Sequence, residues 1–176
     1  MNKRIVISGA PGTGKTSIIN KLLHDKEICH KEISREIISG QLACNGDITP
    51  WQNLNKFSEL VIQKRIKQFN STNTPIEFFD RSIIDSIAYV LKENLMIKKE
   101  WIELAKKNRY YKKVFIAPPW KKIYKKDEER QEDFETAKQI HESILKAYDM
   151  FEYQVIILPK KDVKSRIKFI KNQIDH

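Results

Sequence analysis

The sequence predicts an α/β fold in which a parallel sheet carries helices on both faces. Three observations lead there. Short apolar runs alternate with segments of helical period along the whole chain. The first run, Ile5-Val6-Ile7, is followed directly by Gly9-Ala10-Pro11-Gly12-Thr13-Gly14-Lys15-Thr16, a G-x-x-x-x-G-K-T loop that opens a helical pattern at Lys15. The length of 176 residues, with 40% hydrophobic and 32% charged residues, suits one unit with a substantial core better than two full domains. Residues 1–176 are therefore expected to form a single nucleotide-binding domain.

Strands are expected at residues 4–8, 28–33, 76–80, 113–117 and 154–158. After the loop and its helix, Ser34 to about Cys44 reads as helix and stops near Asn45-Gly46. Thr49-Pro50 offers an N-cap followed by proline at the first helical position. It predicts a helix to about Asn70, with Leu54, Phe57, Val61 and Phe69 near one face. Residues 71–75 read as a turn before the strand Ile76-Glu77-Phe78-Phe79-Asp80, and residues 83–94 and 99–108 read as helices. Ala117-Pro118-Pro119-Trp120 ends the fourth strand and begins a charged, lid-like segment at about 118–130. A helix from about Glu128 to Tyr148 carries Phe134, Ala137, Ile144 and Tyr148 on one stripe, and Asp162 caps a final basic amphipathic helix.

Composition narrows the function classes. No apolar run approaches the roughly 18–20 residues that span a bilayer. Met1-Asn2-Lys3-Arg4 is followed by too few apolar residues for a signal peptide, so a cytoplasmic protein is expected. Cys29, Cys44 and the four scattered histidines have no metal-site spacing. The formal charge of +10 attracts anions, and a nucleotide is one. Lysines and arginines are spread along the chain, and the densest cluster at residues 121–126 is followed directly by Asp127-Glu128-Glu129, the pattern of a solvated face. Nucleic acid and an acidic membrane surface remain secondary partner classes.

The chemistry begins at the loop. Backbone N–H groups from Gly9 to Ser17, aided by the positive end of the helix that follows, can curl round a triphosphate. Lys15 would reach the β- and γ-phosphates and Thr16 would hold Mg²⁺. Asp80, ending a buried strand, is the carboxylate that would support the metal. Motor-type ATPases place a glutamate next to this position to polarise water. Here the neighbours are Arg81 and Ser82, and an arginine cannot act as a base but can clamp a phosphoryl group. Transfer to a bound acceptor is favoured over motor-type hydrolysis.

Glu32 and Arg35 lie where the second strand meets its helix, at the end of the sheet where ligands bind in open α/β folds. Glu32 is a candidate base for an acceptor hydroxyl and Arg35 a candidate acceptor ligand; the alternative is a surface ion pair around a helix start. Arg130 is a candidate lid arginine, with Lys125 and Lys126 as competitors, or else the partner of Glu129 or Glu132 on a solvated helix. Trp51, Phe57 and Trp120 are candidates to line an acceptor pocket, against the alternative of core packing. No Asn-Lys-x-Asp guanine signature occurs, so ATP is the expected nucleotide, with Mg²⁺.

Several ordered stretches resemble an AAA-like family of ATPases with P-loop domains, whose relatives include the ribosylnicotinamide-kinase domain of a bacterial NAD regulator. They are Gly9 to Thr16, Glu32-Ile33-Ser34-Arg35-Glu36-Ile37-Ile38, Gly46-Asp47 to Trp51, Phe78-Phe79-Asp80-Arg81, Ala117-Pro118-Pro119-Trp120 with Ile123-Tyr124, Asp127 to Arg130, and Leu158-Pro159. Asp80-Arg81-Ser82 is also similar to the Asp/Glu-Arg-Ser motif of bacterial deoxynucleoside kinases. The resemblance implies a three-layer nucleoside-kinase-like fold with a five-stranded parallel sheet ordered 2-3-1-4-5. It implies Lys15 and Thr16 on phosphate and Mg²⁺, Asp80 behind the metal, Glu32 as base, and Arg81 and Arg130 as phosphate clamps. The lid departs from that pattern, with one arginine among lysines. The expected activity is Mg·ATP-dependent phosphoryl transfer to a small nucleoside-like or other metabolite that bears a hydroxyl or a phosphate. The alternatives are a slow ATPase acting as a nucleotide-dependent switch that binds a protein, nucleic acid or acidic membrane partner, and a nucleotide phosphatase.

Overall fold

Five parallel strands, β1 (Lys3–Ser8), β2 (Cys29–His30), β3 (Ile76–Asp80), β4 (Lys113–Ile116) and β5 (Gln154–Ile157), stand in the order β2-β3-β1-β4-β5. The computed structural model describes residues 2–71, 74–124 and 133–174. The expected strand order is thus the observed one. Seven helices are described: α1 (Lys15–His24), α2 (Ser34–Ala43), α3 (Leu54–Asn70), α4 (Ile83–Lys92), α5 (Lys99–Lys107), α6 (Phe134–Met150) and α7 (Val163–Gln173). Among the described residues, none of them is long and apolar enough to cross a membrane.

Alternation along the strands builds two cores. Val6, Phe79, Val114 and Ile116 pack into one cluster with side chains of α3, α4, α5 and α6. Ile5, Ile7, Phe78 and Phe115, pointing the other way, pack with α1 and α7. This gives three layers and explains why the central strands read as unbroken apolar runs. A smaller cluster, Ile33, Ile37, Ile38, Phe57 and Val61, fastens α2 to α3 near the carboxyl ends of the strands.

Three boundaries differ from expectation. Only Cys29 and His30 join the ladder at the second strand, because the chain turns from the sheet at Glu32 and buries Ile33 with α2. The short edge strand is held instead by His30, whose Nε2 lies 2.8 Å from Glu77 Oε2 and whose ring stacks on Phe79. α3 begins at Leu54, capped by Asn53, which accepts from the Lys56 N–H at 3.2 Å. The Thr49 hydroxyl donates to Gln52 Oε1 and its carbonyl accepts from Gln52 and Asn53, so Thr49-Pro50 forms a preceding turn. α6 starts at Phe134 with Asp133 as its cap, and the expected start near Glu128 lies outside the described residues.

Consecutive strands leave β1 toward one sheet edge and leave β3 toward the other, so the crevice between their carboxyl ends is the switch point of the topology. The loop at Gly9 and the turn at Asp80 and Arg81 both open there.

Candidate functional site

Gly9 sits at φ 140°, and a Cβ on it would lie 2.4 Å from the Ala117 carbonyl oxygen, so β1 and the loop after β4 close together only around glycine. Gly12 is at φ 76° beneath the Tyr124 ring, which a Cβ would meet at 2.6 Å. Gly14 is the N-cap of α1 and offers no side-chain cap, leaving the first helical N–H groups to serve an anion. The Thr13 hydroxyl and the Lys15 ammonium both donate to the Ala10 carbonyl, each at 2.9 Å, which braces the loop from inside. Burial, and then the charge of Arg81, lower the Lys15 ammonium to about 8. Thr16 and Ser17 are exposed at the rim.

These residues form one side of a cavity of about 360 Å³, lined continuously by Pro11 to Ser17. The rest of the lining carries Glu32, Arg35 and Arg81, with Ile38, Leu54, Phe57 and Tyr89 as apolar wall. The cavity therefore joins the glycine-rich loop to a lining of both charged and apolar groups.

Asp80 is paired with Ile7 across the β1–β3 ladder and is almost fully buried. Burial, then the charge of Glu32, raise its carboxyl to about 6, and its Oδ1 has no hydrogen-bond partner. An orphaned, buried carboxylate oxygen at the end of β3 and an exposed threonine hydroxyl on the cavity are donor types that suit a hydrated cation. Among the described residues no cluster of three His, Cys, Asp or Glu could hold a metal, so such an ion would depend on phosphate oxygens for the rest of its shell.

Arg81 adopts a left-handed conformation at φ 71°. Its N–H donates to the Ile7 carbonyl, its Nε donates to Glu32 Oε1 at 2.7 Å and its Nη1 approaches Asp85 Oδ1 at 3.5 Å. Glu32 also faces Arg35 Nε at 3.8 Å. Burial opposes ionisation of Glu32, yet Arg81 and then Lys15 hold its carboxyl down at about 2. The expected cluster is thus assembled and paired with itself, inside the cavity and beside the phosphate loop.

Trp51 is 44% exposed and lies off this cavity, on a smaller recess that shares Pro50, Leu54 and Tyr89 with it. Of the other aromatic candidates, Phe57 lines the main cavity while Trp120 packs under the Arg166 guanidinium, 5.5 Å from the ring centroid. Arg130, Lys125 and Lys126 lie outside the described residues.

Sequence reasoning missed three buried residues. Asp85, on the first turn of α4, accepts from Ser8 Oγ at 2.5 Å, from the Ser82 N–H at 2.8 Å and from the Tyr148 hydroxyl at 2.7 Å. Arg65 lines the cavity from α3, and Arg166 of α7 donates to the Thr13 carbonyl of the loop at 2.9 Å. Asp85 was detectable as the N3 carboxylate that closes a Ser-x-x-Asp capping pattern; the two arginines carry no local signal.

Residues 4–166 match the model of a family described as AAA domain. No curated protein sequence matches the chain. Among solved structures, deoxyadenosine kinase from M. mycoides with bound dATP superposes with a TM-score of 0.71 at 16% identity, over 98% of each chain. The NadR protein in complex with NR gives a TM-score of 0.68 at 20% identity, over 97% of this chain and 49% of that one. NadR in complex with NAD and AMP-PNP gives 0.69 at 19% identity, over 99% and 51%. The chain spans about half the length of NadR, and these likenesses establish a common kinase-like P-loop fold.

Proposed function

The chain belongs to the AAA domain family, and from that premise we propose that residues 1–176 form one ATP-binding unit that transfers the γ-phosphoryl group of Mg·ATP to a hydroxyl of a small nucleoside-like acceptor. The observation that carries this reading is the largely buried Glu32–Arg81 ion pair, which lines the same cavity as the phosphate loop instead of lying on the surface. A hydrolytic switch needs no second, apolar-walled side to its nucleotide site; an acceptor kinase does.

In this reading the loop N–H groups and Lys15 bind the triphosphate, and Thr16 and Asp80 would hold magnesium. Magnesium bound there would neutralise charge that develops on the leaving phosphate. The amphipathic wall of Ile38, Leu54, Phe57 and Tyr89 would hold the acceptor, with its hydroxyl toward Glu32. A bond forms between the acceptor oxygen and the γ-phosphorus as the bond to the bridging oxygen breaks, and the hydroxyl proton passes to Glu32. A carboxyl held at about 2 is a weak base. It suits a loose transition state in which the proton leaves late, so that the main service of Glu32 is to orient the hydroxyl. Arg81 would meet the transferring phosphoryl group while keeping Glu32 in place.

The test is a screen for acceptor-dependent ADP release with Mg·ATP, across nucleosides, nucleotides and vitamin-like alcohols. Because the similar structures hold dATP and NR, deoxyadenosine and NR are the first acceptors to try. Acceleration by one acceptor class supports the reading. Steady slow hydrolysis that no acceptor accelerates would overturn it in favour of a switch.

A further inference from the structure

Arg65 is 1% exposed in the interior of α3, 15 residues before Asp80. Its Nη1 donates to the carbonyl oxygens of Asp80 at 3.0 Å and Arg81 at 3.1 Å, while its Nε and Nη2 have no partner. Removing a guanidinium from water costs several kcal/mol. A hydrocarbon side chain would fill the same space without that cost, so packing does not account for arginine here.

The two carbonyls explain it. Along an extended strand consecutive C=O groups point to opposite sides. They converge on one nitrogen here because Arg81, the residue between the two peptide planes, is at φ 71°. A non-glycine residue in that conformation costs on the order of 1 kcal/mol or more and persists only where its surroundings hold it. The other polar groups of the turn are tied as well: the Arg81 N–H to the Ile7 carbonyl and the Ser82 N–H to Asp85. Without Arg65, two buried carbonyls would lose their donor and the backbone could relax toward an extended form, swinging the Arg81 side chain away from Glu32.

We propose that Arg65 is a positioning residue: by clamping the Asp80 and Arg81 carbonyls it fixes the left-handed turn and so aims Arg81 at Glu32 in the cavity lining. The inference rests on the phosphoryl-transfer reading for its catalytic consequence and on geometry alone for its structural one.

Two variants test it, Arg65→Met, which keeps the length and removes every donor, and Arg65→Lys, which keeps one donor and the charge. The first readout is hydrogen exchange at the Arg81 Nε–H, assigned by its loss in the Arg81→Lys spectrum. The group is hydrogen-bonded to Glu32 in the native protein. Its protection should fall by about tenfold or more in Arg65→Met and by less in Arg65→Lys, with urea transitions showing both folded. If Arg65→Met does not fold, Arg65→Lys is read alone, and a partial loss of protection is expected. The second readout uses the acceptor that accelerates ADP release. For Arg65→Met, kcat should fall on the order of 100-fold with Mg·ATP affinity unchanged. Arg65→Met combined with Arg81→Lys should lose little more than Arg81→Lys alone. Native-level protection of the Arg81 Nε–H in a folded variant overturns the proposal, as do losses from the two substitutions that multiply. If no acceptor stimulates the native protein, the functional reading fails while the exchange measurement still decides the role of Arg65.

Discussion

Lys15 reaches into the cavity as an ammonium that burial has already weakened, to about 8, before any phosphate arrives. In the proposed reading a triphosphate would bind the protonated form and restore what burial removes. Above pH 8 the free protein must first take up a proton, so each further pH unit costs a factor approaching ten in affinity. Calorimetry should therefore find Mg·ATP binding weaker by roughly tenfold at pH 9 than at pH 7. The stability of the ligand-free protein should move the other way. A lysine whose folded value lies below its unfolded 10.5 penalises folding at low pH, and that penalty is relieved as pH rises from about 8 toward 10.5. Affinity and ligand-free stability that shift in the same direction would show that Lys15 is not the titrating group. Lys15→Ala should abolish triphosphate binding and its pH dependence together, with the fold retained.

The start of α4 shows how an element carries a site. Ser82 is its N-cap and Asp85 closes the capping box, so the same carboxylate that satisfies the helix end also faces Arg81. Burial, and then the Asp85 charge, hold the Tyr148 phenol protonated well above its usual range, and it donates from α6 into the same pair. Replacing Ser82 by alanine removes a cap and leaves Tyr148 and the Ile84 N–H each short of a partner. The expected loss is about 2 kcal/mol in a urea titration. A loss within error would mean that the cap is redundant. This level was the most legible in the sequence: apolar runs and cap residues placed the strands, α4 and α7 to within a few residues, and the glycine loop and Asp80-Arg81 marked the two walls of the crevice. What escaped depends on distance. Thr49-Pro50 reads locally as a helix start, yet its hydroxyl finds Gln52 and a better cap follows at Asn53. Trp51 reads as a pocket residue, and it lines the smaller recess beside the main cavity, half exposed, instead of the main cavity itself. Arg65 sits mid-helix, where an arginine is ordinarily solvated, and only the folded turn 15 residues later gives it carbonyls to bind.

Across the whole molecule, the last helix closes on the first loop. Arg166 of α7, 153 residues from Thr13, donates through Nη1 to the Thr13 carbonyl and through Nε to the Pro159 carbonyl, with its guanidinium over Trp120. In a trans peptide the carbonyl and the next N–H point opposite ways. Drawing the Thr13 oxygen toward α7 therefore turns the Gly14 N–H to the other side, toward the phosphate cradle. The packing of α1 against α7 supplies the rigid frame, through Ile18, Leu22, Ile167 and Ile170 in one cluster. Arg166→Leu keeps that apolar frame and removes the pull on the peptide plane. A hydrogen bond to a charged donor contributes about 1.5 kcal/mol or more, so affinity for Mg·AMP-PNP should fall roughly tenfold. Binding of an acceptor alone, on the apolar wall of the cavity, should be unchanged. Equal weakening of both ligands would mean that the substitution loosened the core, and unchanged nucleotide affinity would mean that the loop holds its shape without α7.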